Sequence, residues 1–211
     1  MKTQFIASVT KQSIPVILIS ILSLSCNQTK EAKTETTQST TEKKAVESII
    51  IQPQTERDTL KGSLKAIATG KIGNAMITVN YHSPAVRGRV IWGGLVLMDQ
   101  VWVTGAHKAT SIEIEGSVKI GEVEIPSGKY GLFTIPSKTE WTIIINKNWD
   151  QHLADNYDMK EDVVRIKVKP ETEETHQERL RYVIEPEGND KGEIVIYWEK
   201  LEVSLPIIVM K

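Results

Sequence analysis

The chain has 211 residues, a formal net charge of −1 and a single cysteine. A near-neutral charge gives no reason to expect nucleic-acid binding, because proteins that bind nucleic acids carry clustered excess positive charge. With one cysteine, no disulfide can form within the chain, so the stability of the folded part must come from its core.

The first 25 residues have the organisation of a secretory signal peptide. Two lysines precede an apolar run over residues 14–24, which is too short to span a bilayer but has the length of a signal h-region. The run ends at Ser25 and Cys26, an arrangement similar to a bacterial lipoprotein signal, in which the cysteine is lipidated and becomes the N-terminus. We expect residues 1–25 to be such a signal and Cys26 to anchor the protein in a membrane of the cell envelope. The alternatives are an ordinary cleaved signal, or an uncleaved anchor with an incidental cysteine.

Residues 26–54 are predicted to be a flexible tether. Between Asn27 and Ile50 the chain has almost no large apolar residues until its end, and four lysines balance four glutamates. No second linker follows, so residues 55–211 are expected to form one domain.

Alternation of apolar and polar residues predicts strands throughout this domain. In AMITVNY, residues 75–81, Ile77, Val79 and Tyr81 share one face of a strand. Residues 111–136 are predicted to form short strands joined by tight turns at glycines and at Pro126. Further strands are predicted over 141–147, 162–170, 179–187 and 193–209. The expected fold is all-β, a single antiparallel β-sandwich or barrel-like domain.

One insertion, residues 148–162, interrupts the strands. Trp149, Leu153 and Tyr157 are four residues apart, as on one face of a short helix, although an irregular loop fits equally well. It is the longest polar insertion between strands, and such loops often carry function.

The usual catalytic, metal and cofactor motifs are absent from the sequence. The four histidines are far apart, no zinc motif is present, and the acidic run over 155–162 does not fit a calcium loop. There is also no GxSxG elbow and no glycine-rich phosphate loop. We therefore predict no metal and no cofactor, and we leave open a hydrolase whose residues come from separate loops.

The densest group of polar and aromatic residues is VWVTGAHKAT, residues 101–110. Gly105 can take a positive φ without a Cβ clash, so Thr104-Gly105-Ala106 is a plausible bend between two strand-like segments. The candidate ligand-binding residues are Arg89, Trp102, Thr104, His107, Lys108, Thr110 and Tyr130. The alternative is a plain strand corner, in which Trp102 packs in the core while His107 and Lys108 face water.

From about Gly62 to Val209 the chain resembles the family known as domain of unknown function 2911, which occurs in secreted proteins and lipoproteins. The residues that carry the likeness are Ser83-Pro84, Gly88-Arg89, Gly94-Leu95, Trp102, Thr104-Gly105-Ala106, Ala109-Thr110, Pro126, Gly128-Lys129-Tyr130, Leu132-Phe133, Pro136, Trp141-Thr142, Asn146, Tyr157, Asp162-Val163 and Arg165. The resemblance implies a β-rich fold, and the family has no established activity to carry over. Val103, His107 and Lys108 stand where the family pattern has arginine, asparagine and glutamate.

These observations favour a lipid-anchored binding module of the cell envelope, whose partner is a small ligand or another envelope protein. The alternative is a hydrolase with His107 as the base and an unidentified nucleophile. A third possibility is a structural envelope protein that only contacts other proteins.

Overall fold

A computed structural model describes residues 59–210 and the backbone of residues 49–51. The predicted signal, residues 1–25, and the predicted lipidation site, Cys26, lie outside the described residues. Within the described part of the chain, no helix is long and apolar enough to cross a membrane.

Eleven strands and one 3-10 turn, Met159–Glu161, make up the regular structure of the described residues. The strands are β1 Ile49–Ile51, β2 Leu64–Ile72, β3 Ala75–Ser83, β4 Thr110–Glu115, β5 Val118–Ile120, β6 Val123–Ile125, β7 Gly128–Ile135, β8 Trp141–Asn146, β9 Asp162–Val168, β10 Glu171–Glu187 and β11 Lys191–Val209. Strand β1 falls within the predicted tether 26–54 and pairs with β2.

The strands form two antiparallel sheets. The larger sheet has seven strands in the order β1-β2-β3-β4-β7-β8-β9, and the smaller has four in the order β10-β11-β5-β6. Strands of the two sheets pack against each other, with the main core between them. This arrangement confirms the prediction of an all-β antiparallel sandwich.

The alternation of side chains separates two faces of the larger sheet. On β3, Ile77, Val79 and Tyr81 are buried against the smaller sheet, as predicted. On β7, Leu132 belongs to the main core, whereas the next residue, Phe133, belongs to a second apolar cluster with Val103, Ala109 and Ile144. Neighbouring strand residues point to opposite faces, so this second cluster lies on the outer face of the sheet.

Two loops cover the second cluster; the first differs from the predicted strand-like structure, and the second matches the irregular alternative given for the insertion. Residues 101–109, here the 101–109 loop, make two isolated bridges, Trp102 with Thr134 and Lys108 with His152, where strand-like structure was expected. Residues 147–158, here the insertion loop, are irregular, and the predicted helical face is not formed. Leu153 has a φ of 46°, which no right-handed helix contains.

Candidate functional site

The corner of the 101–109 loop is held by buried hydroxyl groups. Thr104 and Thr110 are fully buried. The Thr104 carbonyl accepts hydrogen bonds from the Tyr182 hydroxyl at 2.7 Å and the Thr110 hydroxyl at 3.0 Å. The Thr104 hydroxyl lies 3.0 Å from that of Thr134. Two of the seven candidates therefore brace the corner and have no surface exposed to a ligand.

Gly105 does not use the positive φ that is open to glycine. The left-handed residues of this loop are Thr104, with a φ of 52°, and His107, with a φ of 61°. Gly105 is needed for a different reason, because a Cβ there would lie 2.7 Å from the Thr110 hydroxyl and 3.3 Å from the His82 carbonyl oxygen. The loop packs directly onto the end of β3 at this point.

Trp102 belongs to a group of four tryptophans. Its ring stacks on Trp198 with centroids 5.7 Å apart and an interplanar angle of 18°, and Trp92 and Trp141 lie edge-on at 5.9 and 6.4 Å. Its indole Nε1 donates to the Gly105 carbonyl at 3.2 Å. Trp102 therefore packs against the core, as the strand-corner alternative expects.

Arg89 and Tyr130 are not brought to the polar end of the 101–109 loop. The Arg89 guanidinium donates to the carbonyls of Ala85 and Val86 in its own loop. The Tyr130 hydroxyl donates to the Pro126 carbonyl at 2.9 Å, and burial raises the pKa of Tyr130. Neither side chain lines the groove described below.

The 101–109 loop and the insertion loop are joined through their backbones. The Leu153 amide donates to the His107 carbonyl at 2.7 Å, and the Ala109 amide donates to the Gln151 carbonyl at 2.9 Å. The insertion loop also passes close over β7, because a Cβ on Gly131 would lie 3.3 Å from the Cα of Trp149. The two segments singled out by sequence thus form one unit on the outer face.

A polar cluster at the base of the insertion loop closes it against β8 and β9. The carboxylate of Asp162, nearly buried, accepts from Asn146 Nδ2 at 2.7 Å and from the Tyr157 hydroxyl at 2.8 Å, and it pairs with Arg165. Burial and the hydrogen bond to Asp162 raise the pKa of Tyr157 to about 12. We call these four residues the Asp162 clamp.

Beside the joined loops, the outer face of the larger sheet forms an open groove of about 280 Å³. Strand pairing builds its floor, since Asn80 lies opposite Ser111 and Lys65 lies opposite His82. Its ionisable lining residues are Lys65, His82, Lys108, Lys129 and Asp150. We call it the lysine groove, and its volume is close to the lower end of the roughly 300–1,000 Å³ of typical ligand pockets.

Two consecutive residues of the insertion loop position two of these lysines. The Lys129 ammonium lies 4.1 Å from the centroid of the Trp149 ring, a cation–π contact. The Lys108 ammonium lies 3.3 Å from the Asp150 carboxylate, and both side chains remain largely exposed. The insertion loop therefore contacts the ammonium groups of two of the three groove lysines.

His82 lines the groove, and the ring of His107, which does not line it, packs edge-to-face against His82 with centroids 5.2 Å apart. Burial, followed by the positive potential of His107, Lys65 and Lys108, holds the pKa of His82 below its ordinary value. Of the sequence candidates, Lys108 is the one that lines the groove, and His107 lies beside it through its contact with His82.

In the described residues, the histidines do not form the contacts that a hydrolase or a metal site would use. Within residues 59–210, no hydrogen bond joins His107 to a hydroxyl group, and its ring contacts that of His82. His152 pairs with Asp155, and His176 pairs with Glu178. Over the same residues, no three histidine, cysteine or acidic side chains are grouped so that they could hold a metal ion.

Sequence reasoning missed most of the groove. Lys65, His82 and Asp150 were not among its candidates, Lys129 entered only through the family resemblance, and Trp149 only as part of the proposed helical face. The available local signal was the sequence Trp149-Asp150, an aromatic and a carboxylate at the start of a long loop.

Comparison with known proteins adds the family but no activity. The family model described as protein of unknown function (DUF2911) matches residues 63–207, most of the chain and nearly all of the described fold. No curated protein and no solved structure gives a significant match. The chain therefore belongs to the DUF2911 family.

Proposed function

We propose that this protein is a ligand-binding module whose ligand occupies the lysine groove. The observation that carries the proposal is the groove itself, a concavity of about 280 Å³ walled by two loops that hydrogen-bond to each other. Sites built in this way, with loops on a rigid sheet, are the usual location of binding surfaces. Because His107 makes no hydrogen bond to a hydroxyl within the described residues, binding is favoured over hydrolysis.

The test fills the groove with a large side chain. Asn80 lines the groove from β3, and Thr78 stands two residues away on the same face but does not line it. We expect some members of a fragment library of sugars, nucleosides and organic acids to raise the melting temperature of the full-length protein. Asn80→Trp should abolish these shifts, whereas Thr78→Trp should keep them.

Both variants must first show an unchanged circular dichroism spectrum and a cooperative melt. Fragment shifts that survive in Asn80→Trp would place the ligand elsewhere. A library that shifts neither the wild type nor Thr78→Trp would contradict the proposal.

Export and lipid anchoring are proposed from the sequence of the first 26 residues, with the cell envelope as the location and the membrane as the partner of the acylated Cys26. We expect Cys26→Ser to move the protein from the membrane fraction to the soluble fraction and to remove acyl mass from its N-terminus. Ser39→Ala, in the predicted tether outside the signal, is the control for a general effect on export. Membrane retention of Cys26→Ser, with no lipid on the wild-type protein, would contradict the anchor.

A further inference from the structure

We infer that the ligand of the lysine groove is a small anion, bearing a phosphate or carboxylate group, which Lys65, Lys108 and Lys129 bind together. This inference rests on the proposed function and specifies its ligand class. The groove is lined by three lysines and one aspartate, an excess of positive charge on a chain whose formal net charge is −1. A concave surface with one sign of charge concentrates counter-ions of the other sign.

Two of the lysines are already held in place. The Trp149 ring fixes the Lys129 ammonium at 4.1 Å, and Asp150 holds Lys108 at 3.3 Å. Positioning of this kind reduces the rotamer entropy that a flexible lysine loses when it binds. Because Lys129 lies over the ring, we assign Trp149 a positioning role and not that of a stacking surface for the ligand.

The carboxylate of Asp150 already lies beside Lys108 at the rim of the groove, so it competes with a bound anion for that lysine. Its oxygen already takes the Lys108 ammonium, so an incoming anion has to share or displace that contact. On the floor, Asn80 and Ser111 lie opposite each other and supply neutral donors. An anion in the groove therefore finds both charged and neutral hydrogen-bond partners.

The test uses sulfate and oxalate as probes, since both keep two negative charges between about pH 6 and pH 8. Binding to the full-length protein would be followed by the chemical shifts of backbone amides, with sodium chloride at matched ionic strength as the reference. We expect saturable binding of at least one probe, with shifts concentrated on β2, β3 and the insertion loop. Sulfate alone would indicate a phosphate group in the natural ligand, and oxalate alone a carboxylate.

Three substitutions separate this inference from a general effect of charge. Lys129→Gln should weaken probe binding by about tenfold, the effect of losing one charge-assisted hydrogen bond. Asp150→Asn should strengthen it by roughly two- to fivefold, because the competing carboxylate is exposed and its effect is partly screened. Lys147→Gln, on the same loop but outside the groove lining, should leave it unchanged.

The affinity should also depend on pH through His82. Lys65 on β2, and His107 and Lys108 on the 101–109 loop, contribute the positive potential at His82, and Asp150 faces Lys108 across the rim. A bound anion favours the protonated imidazole, so the pKa of His82 should rise on binding and affinity should increase as the pH falls from about 8 to about 6. His82→Asn should flatten this profile. A constant affinity in the wild type would contradict an anion at this end of the groove.

Other results would contradict the ligand class or the binding site. If neither sulfate nor oxalate binds saturably, or if Lys129→Gln leaves their binding unchanged, the anionic ligand class is wrong. If the fragments that Asn80→Trp blocks are all neutral, the groove remains the binding site while the charge assignment fails. If probe binding persists in Asn80→Trp, the probe does not bind in the groove.

Discussion

Replacing Trp198 with alanine is expected to lower the free energy of unfolding by about 3–5 kcal/mol, a large share of the stability of a typical domain. The Trp198 side chain is 1% exposed, stacks on Trp102 and lies 5.7 Å from the ring of Trp92. Alanine would leave a cavity between the two sheets where a group of four indole rings now meets. Urea denaturation followed by circular dichroism measures the loss.

Trp198→Phe is the matched variant, with a cost of about 1–2 kcal/mol. Within the described residues, the indole Nε1 of Trp198 has no hydrogen-bond partner, so phenylalanine removes ring area without breaking a hydrogen bond. Equal losses for the two variants would show that the position matters for something other than packing, and a loss below about 1 kcal/mol for alanine would contradict the buried ring cluster.

The strands that sequence predicted are those whose buried positions hold large apolar residues. In β3 the alternation of Ile77, Val79 and Tyr81 with polar residues was sufficient to predict the strand. In β2 three of the four buried positions hold the small residues Ala66, Ala68 and Gly70, which have low β-propensity and gave no signal. Their small size suits a strand that packs directly against β10.

Polar strands were under-predicted for a related reason. Strand β10 was expected from Arg179, yet it begins at Glu171. Residues 171–178 are polar at almost every position, so no period of two is visible in their apolar pattern. Only pairing with β11 makes this segment a strand, and pairing is not a local property of the sequence.

Only part of the candidate site could be predicted from the sequence. His107 and Lys108 were identified because they are crowded into one turn, which is visible in the sequence. Lys65 and Lys129 are separated by more than sixty residues along the chain, and only the order β2-β3-β4-β7 brings them to one groove. The joining of the two loops through His107 and Leu153 is likewise a tertiary contact, with no signal in either segment alone.

The Asp162 clamp connects stability to the site, and Asp162→Ala is expected to cost about 2–3 kcal/mol. The substitution removes the carboxylate that accepts hydrogen bonds from Asn146 and Tyr157 and pairs with Arg165. The buried Asn146 side chain then loses this acceptor. Because the clamp closes the base of the insertion loop, the same change should loosen the loop that positions Lys108 and Lys129. We therefore expect Asp162→Ala to lose both thermal stability and sulfate or oxalate binding.

Asp155→Ala is the control on the same loop. Asp155 pairs with His152 at 2.9 Å, but both side chains are largely exposed, so its loss should change stability by no more than about 0.5 kcal/mol. A spectrophotometric titration tests the clamp directly, because loss of the Asp162 carboxylate should lower the pKa of Tyr157 from about 12 towards its ordinary value. In the folded state Tyr157 stays neutral up to this raised pKa, and this stabilises the fold below about pH 10. The contribution is lost as the pH rises from 10 to 12. If Asp162→Ala left both the Tyr157 titration and the alkaline unfolding curve unchanged, the clamp would not hold the loop.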